Sequence, residues 1–239
     1  MGLHSRQLAA PLIDFARLKV GDRVLDVGCG PGALTTELVR RLGAGAVTAV
    51  DPSESFVAAA RDRHPGVDVR RAAADALPFS DGVFDAALAQ LVVHFMPDPV
   101  AGLREMARVT RPDGVVAACV WDHAGERTPV SMYWRAARDL GLSTRDESAL
   151  PGAREGHFVE LFEASGLRQV QDTELVARTK YARFDDWWEP LTFGVGPAGA
   201  SFLGLSPADR AQLRQRCQER LPPEPFELVS VAWAARGLV

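Results

Sequence analysis

The stretch VLDVGCGPGALTTELV, Val24 to Val39, decides the fold. Val24 to Val27 reads as a buried strand, Gly28 to Gly32 as a glycine-rich turn, and Ala33 onward as a helix. Glycine has no Cβ, so such a turn brings backbone close to a ligand where any side chain would collide. The first amides of the helix then point at whatever lies over the turn. A strand, turn and helix of this kind, with Asp26 just before the first glycine, reads as a nucleotide-type cofactor site at the carboxyl end of a first parallel strand.

Working outward, strand and helix alternate. A leading helix carries Leu8, Leu12, Phe15 and Leu18 on one stripe and ends near Gly21. Strands are expected over 46–51, 67–72, 84–90 and 115–121, with helices over 33–42, 53–63 and 98–109. Arg111-Pro112-Asp113-Gly114 reads as a type I turn with proline in its second position. Strands this apolar, separated by helices, mean a parallel sheet covered on both faces.

Beyond Trp121 the pattern changes. Residues 122–156 are polar and partly helical, 157–165 read as a sheet-covering helix and 170–177 as a strand. Residues 184–225 are rich in aromatics, glycine and proline, with a helix near 207–220, and 226–235 alternate as a last strand. The expectation is a single domain over 1–239. Residues 1–121 form its cofactor-binding core, and 122–156 and 184–225 are insertions capping the substrate site at the carboxyl edge of the sheet.

Composition bounds the function. With 239 residues, 47% hydrophobic and 24% charged, the chain suits one ordinary globular α/β domain. A net charge of −4 argues against nonspecific nucleic-acid or anionic-membrane binding. No apolar run reaches the ~18 residues of a membrane helix, and the N-terminus lacks the pattern of a signal peptide. Cys29, Cys119 and Cys217 are scattered and odd in number, which fits a reduced, cytoplasmic protein. The histidines lack ligand spacing, so no metal is expected. The expected partner is a small molecule; oligomeric state is not legible.

The cofactor is chosen by four features in order. Asp51 ends the second strand, where a carboxylate can accept both ribose hydroxyls. Asp75-Ala76 follows the third strand, where a carboxylate and an amide could grip an adenine edge. The segment DGVFDAALAQLVVHFMPDP sets Gln90 and His94 just past the fourth, and REMARVTRPDGVVAACVW closes the set. Together with the glycine loop these resemble the small-molecule branch of the class I S-adenosylmethionine-dependent methyltransferases, of the menaquinone and ubiquinone biosynthesis type. The resemblance is dense over 23–121. It implies a Rossmann-like, doubly wound seven-stranded sheet with an antiparallel last strand, and S-adenosylmethionine as methyl donor, leaving S-adenosylhomocysteine. Asp113 departs from the family, which carries a glycine there.

Carried over residue by residue, the resemblance puts Gly28 and Gly30 at the methionine and ribose, Asp51 at the ribose, and Pro52 and Ser53 beside the adenosine. Asp75 then binds the exocyclic adenine nitrogen, the Ala76 amide a ring nitrogen, and Gln90 the methionine end. His94 faces the transferred methyl group as a candidate general base. Plainer roles stand beside these: Asp26 as a brace for the turn, Cys29 as filler, Asp75 as a turn cap, Asp98 as a helix cap and His94 as a packed histidine. His123 and Tyr133 are candidates to touch the acceptor, and His4 and Arg6 to close over the methionine carboxylate. Trp187, Trp188 and Phe193 either line an aromatic cleft or hold a lid down. A nicotinamide-dependent oxidoreductase is the main rival, because Gly28-x-Gly30-x-x-Ala33 also meets the looser dinucleotide fingerprint. The other is a module that binds the cofactor without catalysis.

Overall fold

The computed structural model describes residues 2–142 and 147–239. Among them seven strands form one sheet in the order β3-β2-β1-β4-β5-β7-β6. These are β1 (Val24–Val27), β2 (Val47–Asp51), β3 (Asp68–Arg71), β4 (Phe84–Gln90), β5 (Thr110–Trp121), β6 (Arg168–Tyr181) and β7 (Phe226–Leu238). β1 to β5 pair in parallel, whereas β7 runs antiparallel between β5 and β6. The chain therefore reverses strand order between β1 and β4, the place where such sheets open a crevice for ligands.

Helices cover both faces, as fully apolar parallel strands require. α1 (Gly2–Ala16), α2 (Ala33–Leu42) and α3 (Glu54–Arg63) bury Leu8, Leu12, Leu34, Leu38 and Val57 on one face. α4 (Pro99–Val109) and, after α5 (Ser131–Asp139), α6 (His157–Ala164) bury Leu103, Met106, Phe158 and Phe162 on the other. The Asp98 carboxylate caps α4 by accepting the Ala101 amide at 2.9 Å, and Pro99 occupies the first turn.

The two insertions build a third cluster. α5 (Ser131–Asp139), α7 (Phe184–Thr192), α8 (Gly196–Gly204) and α9 (Pro207–Arg220) gather Tyr133, Trp187, Trp188, Phe202, Leu213 and Cys217 into one apolar core, together with Tyr181 and Phe226 from the strand ends. Trp187 and Trp188 are buried there, and the Trp187 indole donates to the Pro129 carbonyl, so both hold the insertions together; Phe193 stays exposed.

Three expectations change. β6 and β7 run past the predicted 170–177 and 226–235, because their antiparallel pairing continues from Arg168 and Leu238 to Tyr181 and Phe226. β5 starts at Thr110, with the β4 register shifting between Phe84 and Ala86 to absorb the extra residues. The stretch 111–114 is not a type I turn: Asp113 has φ +59°, in the left-handed region, where a type I turn needs a negative φ. That conformation explains why the family keeps glycine there, and aspartate is among the few residues that tolerate it.

Candidate active site

The glycine turn hangs from β2 as well as from β1. The Gly28 and Cys29 amides both donate to the Val50 carbonyl, at 2.8 and 2.9 Å. The Gly30 amide donates to Asp51 Oδ2 at 2.9 Å, and the Ser53 amide to Asp51 Oδ1 at 2.8 Å. Asp51 is buried, and its carboxylate locks the turn to the start of α3 while keeping lone pairs on both oxygens. Pro52 and Ser53 follow at the rim, with Ser53 Oγ 2.9 Å from Ser55 Oγ.

The glycines differ in what surrounds them. A Cβ on Gly28 would come within 2.5 Å of the Val92 side chain, so this glycine is required by packing against the segment after β4. Around Gly30 nothing lies within 4 Å of that position, and φ is +53°. Gly30 is thus bare backbone facing open space, the cradle a cofactor needs.

Beneath the turn, Asp26 is fully buried and accepts the Thr35 hydroxyl at 2.6 Å as well as the Thr35 amide. It therefore braces the start of α2. Burial pushes its carboxyl up to about 7, against the pull of the Thr35 bonds. Its second oxygen, Oδ1, has no hydrogen-bond partner. Gln90, at the end of β4, donates from Nε2 to the Ser5 carbonyl of α1 at 2.8 Å, and its Oε1 is equally unpartnered. Leu91 then takes a left-handed φ of +61°, a sparsely populated conformation for a branched residue at a ligand-facing turn. Two unpartnered buried oxygens on the neighbouring strands β1 and β4 fit a ligand with a cationic ammonium, and S-adenosylmethionine carries one.

The adenine end is less complete. Asp75 is exposed just after β3, free to meet a ligand edge, but the Ala76 amide already donates to the Ala73 carbonyl at 3.2 Å. Neighbouring Leu77 is held by Glu105 through its amide.

His94 sits in a short 3-10 turn after β4, 7% exposed, with Nδ1 unpartnered. Burial, and then the nearby His123, hold its imidazole down at about 3. The His94 and His123 rings lie 5.7 Å apart, and Phe95, 56% exposed, packs against His94 at 3.9 Å. Tyr133 is fully buried in the insertion core and does not reach this edge. His4 is also committed elsewhere: its Nδ1 and Nε2 lie 3.0 and 2.5 Å from Thr179 Oγ1 and Tyr181 Oη. Arg6 instead lines a cavity of about 300 Å³ with Ala33, Thr36, Glu37 and Arg63 at the start of α2.

Sequence reasoning missed Thr35 and Ser5. Thr35 was legible as a hydroxyl in the first turn of α2. Ser5 acts through its main chain and left no signal.

Comparison with known proteins agrees with this geometry. The methyltransferase domain family matches residues 25–118. The chain is 37% identical over 185 residues to demethylmenaquinone methyltransferase of Mycolicibacterium vanbaalenii, covering 75% of each protein. It is 36% identical over 120 residues to ubiquinone/menaquinone biosynthesis C-methyltransferase UbiE of Bdellovibrio bacteriovorus, spanning about half of that relative (51%). The YcgJ protein of Bacillus subtilis shares the fold, with a TM-score of 0.64 at 21% identity over 99% of this chain and 98% of that one. The methyltransferase reading prevails over the nicotinamide and non-catalytic ones, and the chain belongs to the class I S-adenosylmethionine-dependent methyltransferases that act on small molecules.

Proposed function

We propose that this enzyme binds S-adenosylmethionine across the carboxyl ends of β1, β2 and β4 and methylates a small, partly apolar, aromatic acceptor held under the two insertions. The observation that carries this reading is the Asp51 carboxylate, which ties down the bare Gly30 turn and keeps acceptor capacity for ribose hydroxyls. Gly28 and Gly30 border the methionine and ribose, and Pro52 and Ser53 the adenosine. Asp75 takes the exocyclic adenine nitrogen, and the Ala76 amide reaches the ring by releasing Ala73. The Gln90 Oε1 and Asp26 Oδ1 orphans favour the ammonium, and the positive end of α2 favours the carboxylate.

When bound, the cofactor would supply a methyl group already activated by its sulfonium. The protein's task is alignment within ~3–3.5 Å and exclusion of water. His94 stands at the reacting end, and exposed Phe95 beside it offers a flat apolar surface. An aromatic acceptor accords with relatives named for demethylmenaquinone. We place the reaction in the cytoplasm, in keeping with three free buried cysteines. Among the described residues no helix is long and apolar enough to cross a membrane.

Calorimetric titration with S-adenosylhomocysteine, with NAD(H) run in parallel, tests the reading. Micromolar binding of the first alone is expected. Binding of NAD(H) in its place would overturn it.

A further inference from the structure

His94 and His123 follow the ends of neighbouring strands, β4 and β5, and bring two buried imidazoles to a centroid separation of 5.7 Å with their planes tilted by 53°. Each carries a nitrogen with no hydrogen-bond partner, Nδ1 of His94 and Nε2 of His123. An unmet buried polar atom costs about 1–3 kcal/mol, and two of them on rings 5.7 Å apart point to a ligand group that would complete both. Behind His123, its other nitrogen lies 3.7 Å from Glu147 Oε2. That is too long for a hydrogen bond, and such contacts often tighten only when the ligand binds. Glu147 is itself buried and is oriented by the Trp134 indole, which donates to the same oxygen at 2.8 Å.

The arrangement assigns tautomers. A carboxylate beside Nδ1 of His123 keeps the proton there, which leaves Nε2 as a bare acceptor. One group can satisfy that nitrogen and a protonated Nδ1 of His94 together: a hydroxyl, donating to the first and accepting from the second. We propose that His123, positioned by Glu147, takes the proton from a hydroxyl of the acceptor while His94 donates a hydrogen bond to the same oxygen. The O–H bond breaks, its electron pair stays on oxygen, and the proton bonds to His123 Nε2. The resulting imidazolium is balanced by Glu147, and the oxygen anion by the His94 N–H. Asp122 adds a second negative charge near His123, although its carboxylate is already occupied by Arg127, the Gly125 amide and the Trp233 indole.

The hydroxyl must be an acidic one. Burial holds the His123 imidazole at about 4, opposed by Asp122, so without the carboxylate drawn in it is a weak base. A phenol, ionising near 10 as tyrosine does, is the nearer match, whereas an aliphatic alcohol, about as weakly acidic as water near 15.7, lies much further off. This assignment rests on the methyltransferase reading and names the proton acceptor of that site. It also gives His94 a donor's role in place of the base's.

The test uses protein labelled with ¹⁵N-histidine and 4-nitrophenol as probe. Long-range ¹H–¹⁵N spectra of the ligand-free protein should show His123 protonated at Nδ1, with Glu147→Gln mixing the tautomers. In protein saturated with S-adenosylhomocysteine, 4-nitrophenol should bind with a larger ionised fraction than in water at the same pH, read by phenolate absorbance. Glu147→Gln should cut that ionisation about tenfold or more, as expected for loss of a unit charge near 4 Å. His123→Gln should abolish it. Glutamine can still accept from Trp134, and unchanged S-adenosylhomocysteine affinity would show both variants folded. A proton on His123 Nε2, ionisation indifferent to both variants, or no binding of millimolar 4-nitrophenol would each overturn the proposal. Failure of the wild type to bind S-adenosylhomocysteine would instead strike the cofactor reading, with the His123 tautomer still deciding the pair.

Discussion

The Asp51 carboxylate accepts the amide of Gly30 at 2.9 Å across 21 residues of sequence, so the acid proposed to hold the ribose and the glycine turn form one unit. Removing the acid has two effects together: the turn loses its tether and the ligand loses its acceptor.

Asp51→Ala is therefore expected to weaken S-adenosylhomocysteine binding by about 10- to 100-fold. That follows from losing hydrogen bonds to a charged group at about 1.5–3 kcal/mol each. Calorimetry measures the affinity, and a thermal melt confirms the fold. Wild-type affinity in a folded variant would remove Asp51 from the site.

The two glycines of the turn should separate fold from binding. Gly30→Ala puts a Cβ into open space, so it pays only the left-handed backbone cost of roughly 1–2 kcal/mol and should stay folded while losing cofactor affinity. Gly28→Ala drives a Cβ into Val92 and should lower the melting temperature further. Equal melting temperatures for the two variants would contradict the packing described.

Asp26 predicts an alkaline weakness. Its carboxyl, ordinarily near 3.8, is raised by burial to about 7 in the folded chain. The folded state thus holds the proton more tightly, and this group's contribution is complete below pH about 4 and lost as pH rises through 7. In the ligand-free protein Asp26→Asn, which can still accept from Thr35, should gain stability over the wild type between pH 5 and 8, by a few kcal/mol. Parallel profiles of melting temperature against pH would contradict a buried, protonated Asp26.

The histidines predict an acid weakness of opposite sign. Burial, the largest cause at each, holds His4 and His123 down at about 4 and His94 at about 3, against an ordinary 6.5. All three are neutral in the fold, so their contribution is complete above pH 6.5 and lost as pH falls through about 4. Each adds at most about 1.4 kcal/mol per pH unit to the slope. His4→Gln should flatten the fall between pH 6.5 and 4 in chemical denaturation. It should also lower stability at pH 7, because His4 ties α1 to Thr179 and Tyr181. An unchanged slope would mean that His4 titrates normally.

The parts whose physics is local were legible in the chain alone. Val24 to Val39 announces strand, bare turn and helix because an apolar run, glycines and a helical period each act within a few residues. Asp98-Pro99 starts α4 by a cap three residues long. The order of elements, with the antiparallel last strand, followed from the alternation of periods and from the family resemblance. Tertiary structure decided whatever depends on distant residues meeting. Pairing with each other, over residues 45 to 70 apart in the chain, lengthened β6 and β7. Closure against β4 and the chain end set the left-handed Asp113. Burial decided that Asp26 is a carboxyl near neutrality and that Trp187 and Trp188 are core, since desolvation is a property of the assembled volume. The meeting of His94, His123 and Glu147 joins two strand ends and an insertion, and no spacing in the chain encodes that distance.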